Sequence, residues 1–149
     1  MGPASAWGQS PRQSIETECS RRGQSAVVAG CIELLYGRSA DPVLVVALGG
    51  PPARWAVSDD PDERAGPDYW LRVWAARGLL WAWDDTALPA LLTALEDESW
   101  RVREMAAKVV ARHRVDEALT LIQALRHDPV ARVRSAGSRA VVRLVATGT

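Results

Sequence analysis

The 149-residue chain has no phenylalanine, one lysine, two histidines, two cysteines and two methionines, and each scarcity closes off a class of chemistry. Cys19 and Cys31 lie 12 residues apart with no CxxC spacing and no histidine nearby, so they read as reduced small hydrophobes rather than a metal or redox pair. His113 and His127 form no His-Glu dipeptide, and no Ser, Cys or carboxylate can be assigned to either as a catalytic partner. No phosphate-cradling, dinucleotide-binding or zinc-protease motif is present. Residues 1–12 lack the apolar core of a secretory signal, and no run reaches the ~18 apolar residues that a membrane span needs. Apolar residues nowhere alternate with polar ones between turn dipeptides, which excludes a hairpin-built fold. The expectation is a soluble, cytoplasmic, non-catalytic chain with no cofactor, no metal and no membrane partner.

What the chain does have is internal repetition. Asp128, Val133, Arg134, Arg139 and Arg143 follow Asp97, Val102, Arg103, Lys108 and Arg112 at a constant offset of 31 residues. One step further back lie Leu71, Arg72, Arg77 and Trp81. Each of the last two segments is preceded by an apolar run at three- and four-residue spacing, Leu88–Leu95 and Ala118–Leu125, the mark of an amphipathic helix. Asp128-Pro129 and Asp41-Pro42 read as an N-cap followed by a first-turn proline, and Gly49-Gly50 as a helix stop. Residues 24–38 are helical in spacing, and 13–22 form a weaker, more polar helix. Residues 1–12 read as a disordered terminus, 13–146 as one domain, and 49–67 as a long loop inside its first complete unit. The four carboxylates of that loop lack the ordered spacing of a calcium-binding loop.

Asp, then Val-Arg five residues on, then Ala and an aliphatic residue at helical spacing resembles the second helix of HEAT repeats. Residues 97–110 and 128–141 carry the pattern well; residues 66–80 carry it with Gly66 in place of the Asp. The chain looks close to the short HEAT-like repeats grouped with phycobilisome-lyase domains. The resemblance implies an all-α fold, an α-α superhelix (HEAT/armadillo-like solenoid) of about three helix pairs with an N-terminal helical cap, and a scaffold that mediates protein–protein contacts.

Comparing the units separates buried from accessible positions. Leu71, Ala75, Gly78 and Ala82 share one helical face, as do Val102, Ala106 and Val109, and these are the expected core rows. A second stripe gives three further rows: Trp70/Arg101/Arg132, Arg77/Lys108/Arg139 and Trp81/Arg112/Arg143. Unpaired Arg is rarely buried, so these rows are expected to face solvent and carry a partner. Trp74 aligns with Met105 and Ala136, a tapering series that suits core packing. Trp55 and Trp83 read as hydrophobic clamps, and His113 as a helix-end residue near the C-terminal dipole. Arg72, Arg103 and Arg134 point elsewhere on the wheel and are expected to pair with Asp97 or Asp128.

Residues 1–98 carry 8 basic and 14 acidic groups and residues 99–149 carry 10 and 4, a polarity of −6 against +6. The leading reading is therefore a scaffold, monomeric or weakly dimeric, that binds an unidentified protein through these rows. The alternative is nucleic-acid binding through the basic face of residues 101–143, and zero net charge counts against it. Tetrapyrrole handling rests on the lyase-like resemblance alone.

Overall fold

A computed structural model describes residues 8–51, 53 and 69–146. The first helix, α1 (Pro11–Arg22), is started by a reciprocal cap: the Ser10 hydroxyl accepts the Gln13 N–H, and the Gln13 side chain accepts the Ser10 N–H. Ordered helix thus begins inside the stretch expected to be disordered, because Ser-x-x-Gln is itself a start signal. Gly23, in the left-handed region at φ 94°, ends α1 and lets α2 (Gln24–Leu35) fold back at once. Asp41 caps α3 (Pro42–Gly49) by accepting the Val43 N–H, with Pro42 at the first helical position. The remaining helices are α4 (Tyr69–Gly78), α5 (Leu88–Ala94), α6 (Trp100–His113), α7 (Leu119–Leu125) and α8 (Ala131–Ala146). Three-residue 3₁₀ turns, Asp85–Ala87 and Asp116–Ala118, lead into α5 and α7. Among the described residues there is no strand.

The long loop expected at 49–67 falls almost wholly outside the described residues, as do Trp55 and its acidic run. The helix expected near 68–83 is shorter than its apolar spacing suggests. It ends at Gly78, and tight backbone bonds from Leu80 to Arg77 and from Trp81 to Gly78 carry the chain through a turn.

Packing arranges the helices as pairs, α1/α2, α3/α4, α5/α6 and α7/α8, with second helices side by side: α2 on α4, α4 on α6, α6 on α8. The fold is the all-α repeat stack expected from the sequence. The expected N-terminal helical cap is a helix pair packed like the others, so α2 stands to α4 as α4 stands to α6. One core runs through the pairs, with Ile15, Val28, Leu48, Leu79, Leu91, Val110 and Ile122 among its buried members. The expected core residues Ala75, Gly78, Ala82, Val102, Ala106 and Val109 are all buried, while Leu71 is half-buried.

Close approach is enforced by small residues. A Cβ at Gly49 would meet the Trp74 indole at 2.7 Å and the Ala53 Cβ at 2.8 Å, so α3 lies directly on α4. Gly49→Ala gains helix propensity of up to ~1 kcal/mol but forces a rigid ring to move. A net loss of about 1 kcal/mol is expected in urea unfolding, and a gain in stability would show that Trp74 yields freely.

The Arg–Asp ladder forms as the offset implies. Arg72 grips Asp97 through Nε–Oδ2 at 2.7 Å and Nη2–Oδ1 at 3.2 Å; Arg103 grips Asp128 through the same atoms at 2.8 and 3.2 Å. Each Asp also receives the N–H two residues on, Ser99 or Val130. Asp128 was expected as the cap of the last helix; it stands three residues before α8 and folds the turn that enters it.

Candidate interaction surface

Three guanidinium groups lie near the C-terminal ends of second helices, and all bond main-chain carbonyls. The last four carbonyls of a helix have no partner within it and carry its partial negative charge, so a cation from a neighbouring helix is drawn to the helix end or the turn that follows it. Arg77 Nη2 donates to Leu48 O at 2.7 Å, Arg112 Nε to Leu80 O at 2.6 Å, and Arg143 Nε to Ala111 O at 3.4 Å. His113 joins this set: its Nε2 bonds Leu79 O at 2.7 Å, and its ring stacks on Trp83 at 5.0 Å and 16°. His113 is the last residue of α6, as expected, and Trp83, read as a hydrophobic clamp, covers its ring from the segment after α4.

Arg77 departs furthest from its expected exposure. The residue is half-buried, its Nε is buried with no hydrogen-bond partner among the described residues, and desolvation pulls its pKa down. The row logic fails there because α3, which precedes α4, presents a helix end that Arg77 can reach. Trp81 lies in the turn after α4, half-buried against the core. Lys108 is half-buried, and Arg139 is exposed with no ion pair among the described residues. The nine candidates therefore do not form one sheet of accessible rows.

What does come together lies at the opposite ends of these helices, where α4, α6 and α8 begin. Trp70, Arg101 and Arg132 sit there with two residues outside the expected set, Tyr69 and Trp100. The Arg101 guanidinium lies 4.5 Å from the Trp100 ring centre, 5.5 Å from Tyr69 and 5.6 Å from Trp70. Arg132 lies 5.3 Å from Trp100 on the far side of the series and donates through Nε to Glu104 at 3.0 Å. Trp70 stacks on Trp74 at 6.4 Å, tying the strip to the α3–α4 contact. Tyr69 and Trp100 were legible: the same 31-residue offset relates them to each other and to Ala131, one position before the row that was read.

A cation held among ring faces keeps N–H groups for a further acceptor, though Arg132 already gives its Nε to Glu104. Among the described residues no carboxylate pairs with Arg101. A recess of about 600 Å³, lined by Tyr69, Arg72, Glu98, Ser99, Trp100 and Arg101, opens beside it.

The described cysteines and metal-ligating residue types form no comparable cluster. Burial pushes the Cys31 thiol up to about 12 and raises that of Cys19, so neither is a ready nucleophile. Among the described residues no three His, Cys, Asp or Glu side chains converge as metal ligands, and no helix is long and apolar enough to cross a membrane.

A family model described as HEAT repeats matches residues 62–141. No match is found among curated proteins or among solved structures.

Proposed function

Because the chain belongs to the HEAT-repeat family, whose members generally serve as non-catalytic scaffolds for other proteins, we propose that it binds an acidic segment of a partner protein on the strip Tyr69, Trp70, Trp100, Arg101 and Arg132. The carrying observation is Arg101, held against three aromatic rings and, among the described residues, paired with no carboxylate. A stacked guanidinium is suited to two parallel bonds to an incoming carboxylate, and the flanking rings supply the apolar contact area that interface hot spots use. Lys108 and Arg139 extend the strip along α6 and α8.

The nucleic-acid reading is weaker on the same geometry. Arg103 is committed to Asp128, Arg132 to Glu104, and Arg112 and Arg143 to carbonyls. Four of the ten cations of residues 99–149 are thus engaged, and the chain's zero net charge does not favour a polyanion.

The test compares affinity-purified partners of the wild-type chain and of Arg101→Glu/Arg132→Glu by quantitative mass spectrometry, with melting curves as the fold control. Expected is at least about tenfold depletion of a partner bearing an acidic segment, because charge reversal places like charges in contact, with melting still cooperative and only modestly lowered by loss of the Arg132–Glu104 pair and the ring contacts. Retention of every partner by the double variant sinks the strip as the site. A gel shift on a short DNA duplex that weakens steeply with salt would move the assignment to nucleic acid.

A further inference from the structure

The ladder has a rung that is set but not filled. Arg103 is oriented by its own unit through Nη1, which donates to Asp97 O at 2.7 Å, and its remaining edge clasps Asp128 of the next unit. Arg134 is oriented identically, with Nη1 donating to Asp128 O at 2.8 Å. Its Nε/Nη2 edge meets no carboxylate among the described residues. The Asp128 carboxylate is near enough to feel the Arg134 charge, yet both its oxygens are held by Arg103.

The surface around Arg134 differs from its equivalent on α6 in the same sense. Ala107 and Val110 are wholly buried; their equivalents are Ser138, which is exposed, and Val141, which is partly so. Ala111 is half-buried, whereas Val142 is 66% exposed; Arg114 is matched by Val145, at 61%. These two valines are the most exposed large hydrophobics among the described residues. A recess of about 580 Å³, lined by Ala111, Arg112, Ser138, Arg139, Val142 and Arg143, opens beside them.

We infer that this face of α8 docks a helical unit of a partner protein whose entering turn carries an Asp, the carboxylate filling the rung on Arg134 and an apolar helix face covering Val142 and Val145. The occupant's chemistry follows from the two filled rungs, which show what this Arg position clasps when a unit lies beyond it. Charge also selects a different chain over a second copy: α8 against α8 would bring Arg134, Arg139 and Arg143 onto the same three side chains. This surface is distinct from the strip at the helix starts, and Arg101→Glu should leave it unaffected.

The probe is a fluorescent peptide of residues 115–146, which carries Asp128 in the required turn. It is titrated onto the full chain by anisotropy, and the full chain alone is followed by sedimentation velocity. Saturable binding is expected, weakened at least about tenfold by Asp128→Asn in the peptide or Arg134→Gln in the chain, with no further loss when both are changed. Equal binding by native and Asn peptides overturns the proposal, and so does self-association of the chain abolished by Val142→Asp. Because the free peptide must fold as it docks, absence of binding is followed by tethering it to the chain through a Gly/Ser linker. A melting temperature that does not rise on tethering overturns it as well.

Discussion

Asp128→Ala is expected to lower the free energy of unfolding by about 4 kcal/mol, and the difference from wild type is expected to shrink below pH ~4. Three interactions leave with the carboxylate: two bonds from Arg103, at 2.8 and 3.2 Å, and one from the Val130 N–H, at 2.9 Å. The Arg103 side chain is 15% exposed and that of Asp128 6%, so deletion strands a cation that water reaches poorly. Breaking a buried pair costs roughly 3–5 kcal/mol; slight exposure of the arginine places this one near 3, and the turn-capping bond adds about 1. Burial alone would push the Asp128 carboxyl up. The bonds from Arg103 and Val130 and the charges of Arg103 and Arg134 outweigh it, so its pKa is lowered. A depressed carboxylate contributes stability that is fully present above its unfolded value and lost as pH falls through its folded one. Wild type should thus converge on the variant in acid, which urea titrations at stepped pH will read. Asp128→Asn keeps an acceptor for Val130 and should cost less. Glu98→Ala is the control: Glu98 approaches Arg72 at 3.9 Å but is 93% exposed, so its loss should be within ~0.5 kcal/mol. A pH-independent difference for Asp128→Ala would refute the charge part of the account.

The ladder was legible before any coordinates because it depends only on phase. Arg72, Arg103 and Arg134 occupy one position of a repeated helix, and a carboxylate recurs at a fixed distance before two of them. Core rows such as Ala75/Ala106/Gly137 were legible for the same reason. The helix-end arginines were not. A helical wheel shows which way Arg77, Arg112 and Arg143 leave their own helix, but not the carbonyls they reach: Leu48 at the end of α3, Leu80 in the turn after α4, and Ala111 near the end of α6. Those acceptors belong to the backbone, which every residue has, so no residue type announces them. The α1 and α2 helices were read as a helical cap, but their packing as a repeat unit was not, for a related reason. The pair packs as a unit but lacks the Asp and Val-Arg that mark the others, so apolar contact alone places α2 against α4. The strip at the helix starts was half legible: Trp70, Arg101 and Arg132 fell in one row, and the neighbouring Tyr69 and Trp100 needed only the same offset applied one residue earlier.

Ala106→Leu is expected to cost roughly 3 kcal/mol, the upper end for overpacking a close helix contact. Ala75, Ala106 and Gly137 are one buried row of second helices, and Gly137 shows how little space the row has. A Cβ there would stand 3.0 Å from the Leu125 Cβ and 3.3–3.4 Å from the main chain of Leu125 and Ile122. By the same offset Ala94 and Leu91 stand opposite Ala106, so a small residue faces a small one in α5/α6 where glycine faces leucine in α7/α8. Three added carbons at position 106 cannot fit at native density without parting α6 from α5. That movement has a second consequence, since α6 carries Arg101 to Tyr69 and Trp70 on α4 and Arg103 to Asp128. Stability and partner affinity should therefore fall together in Ala106→Leu. Arg101→Glu should remove affinity with a loss of stability of only about 1 kcal/mol from the ring contacts, and Val142→Leu, on the exposed face of α8, should leave stability within ~0.5 kcal/mol of wild type. An Ala106→Leu chain that melts like wild type would mean that the small-residue row does not set the helix spacing, and the geometry around Arg101 would need another cause.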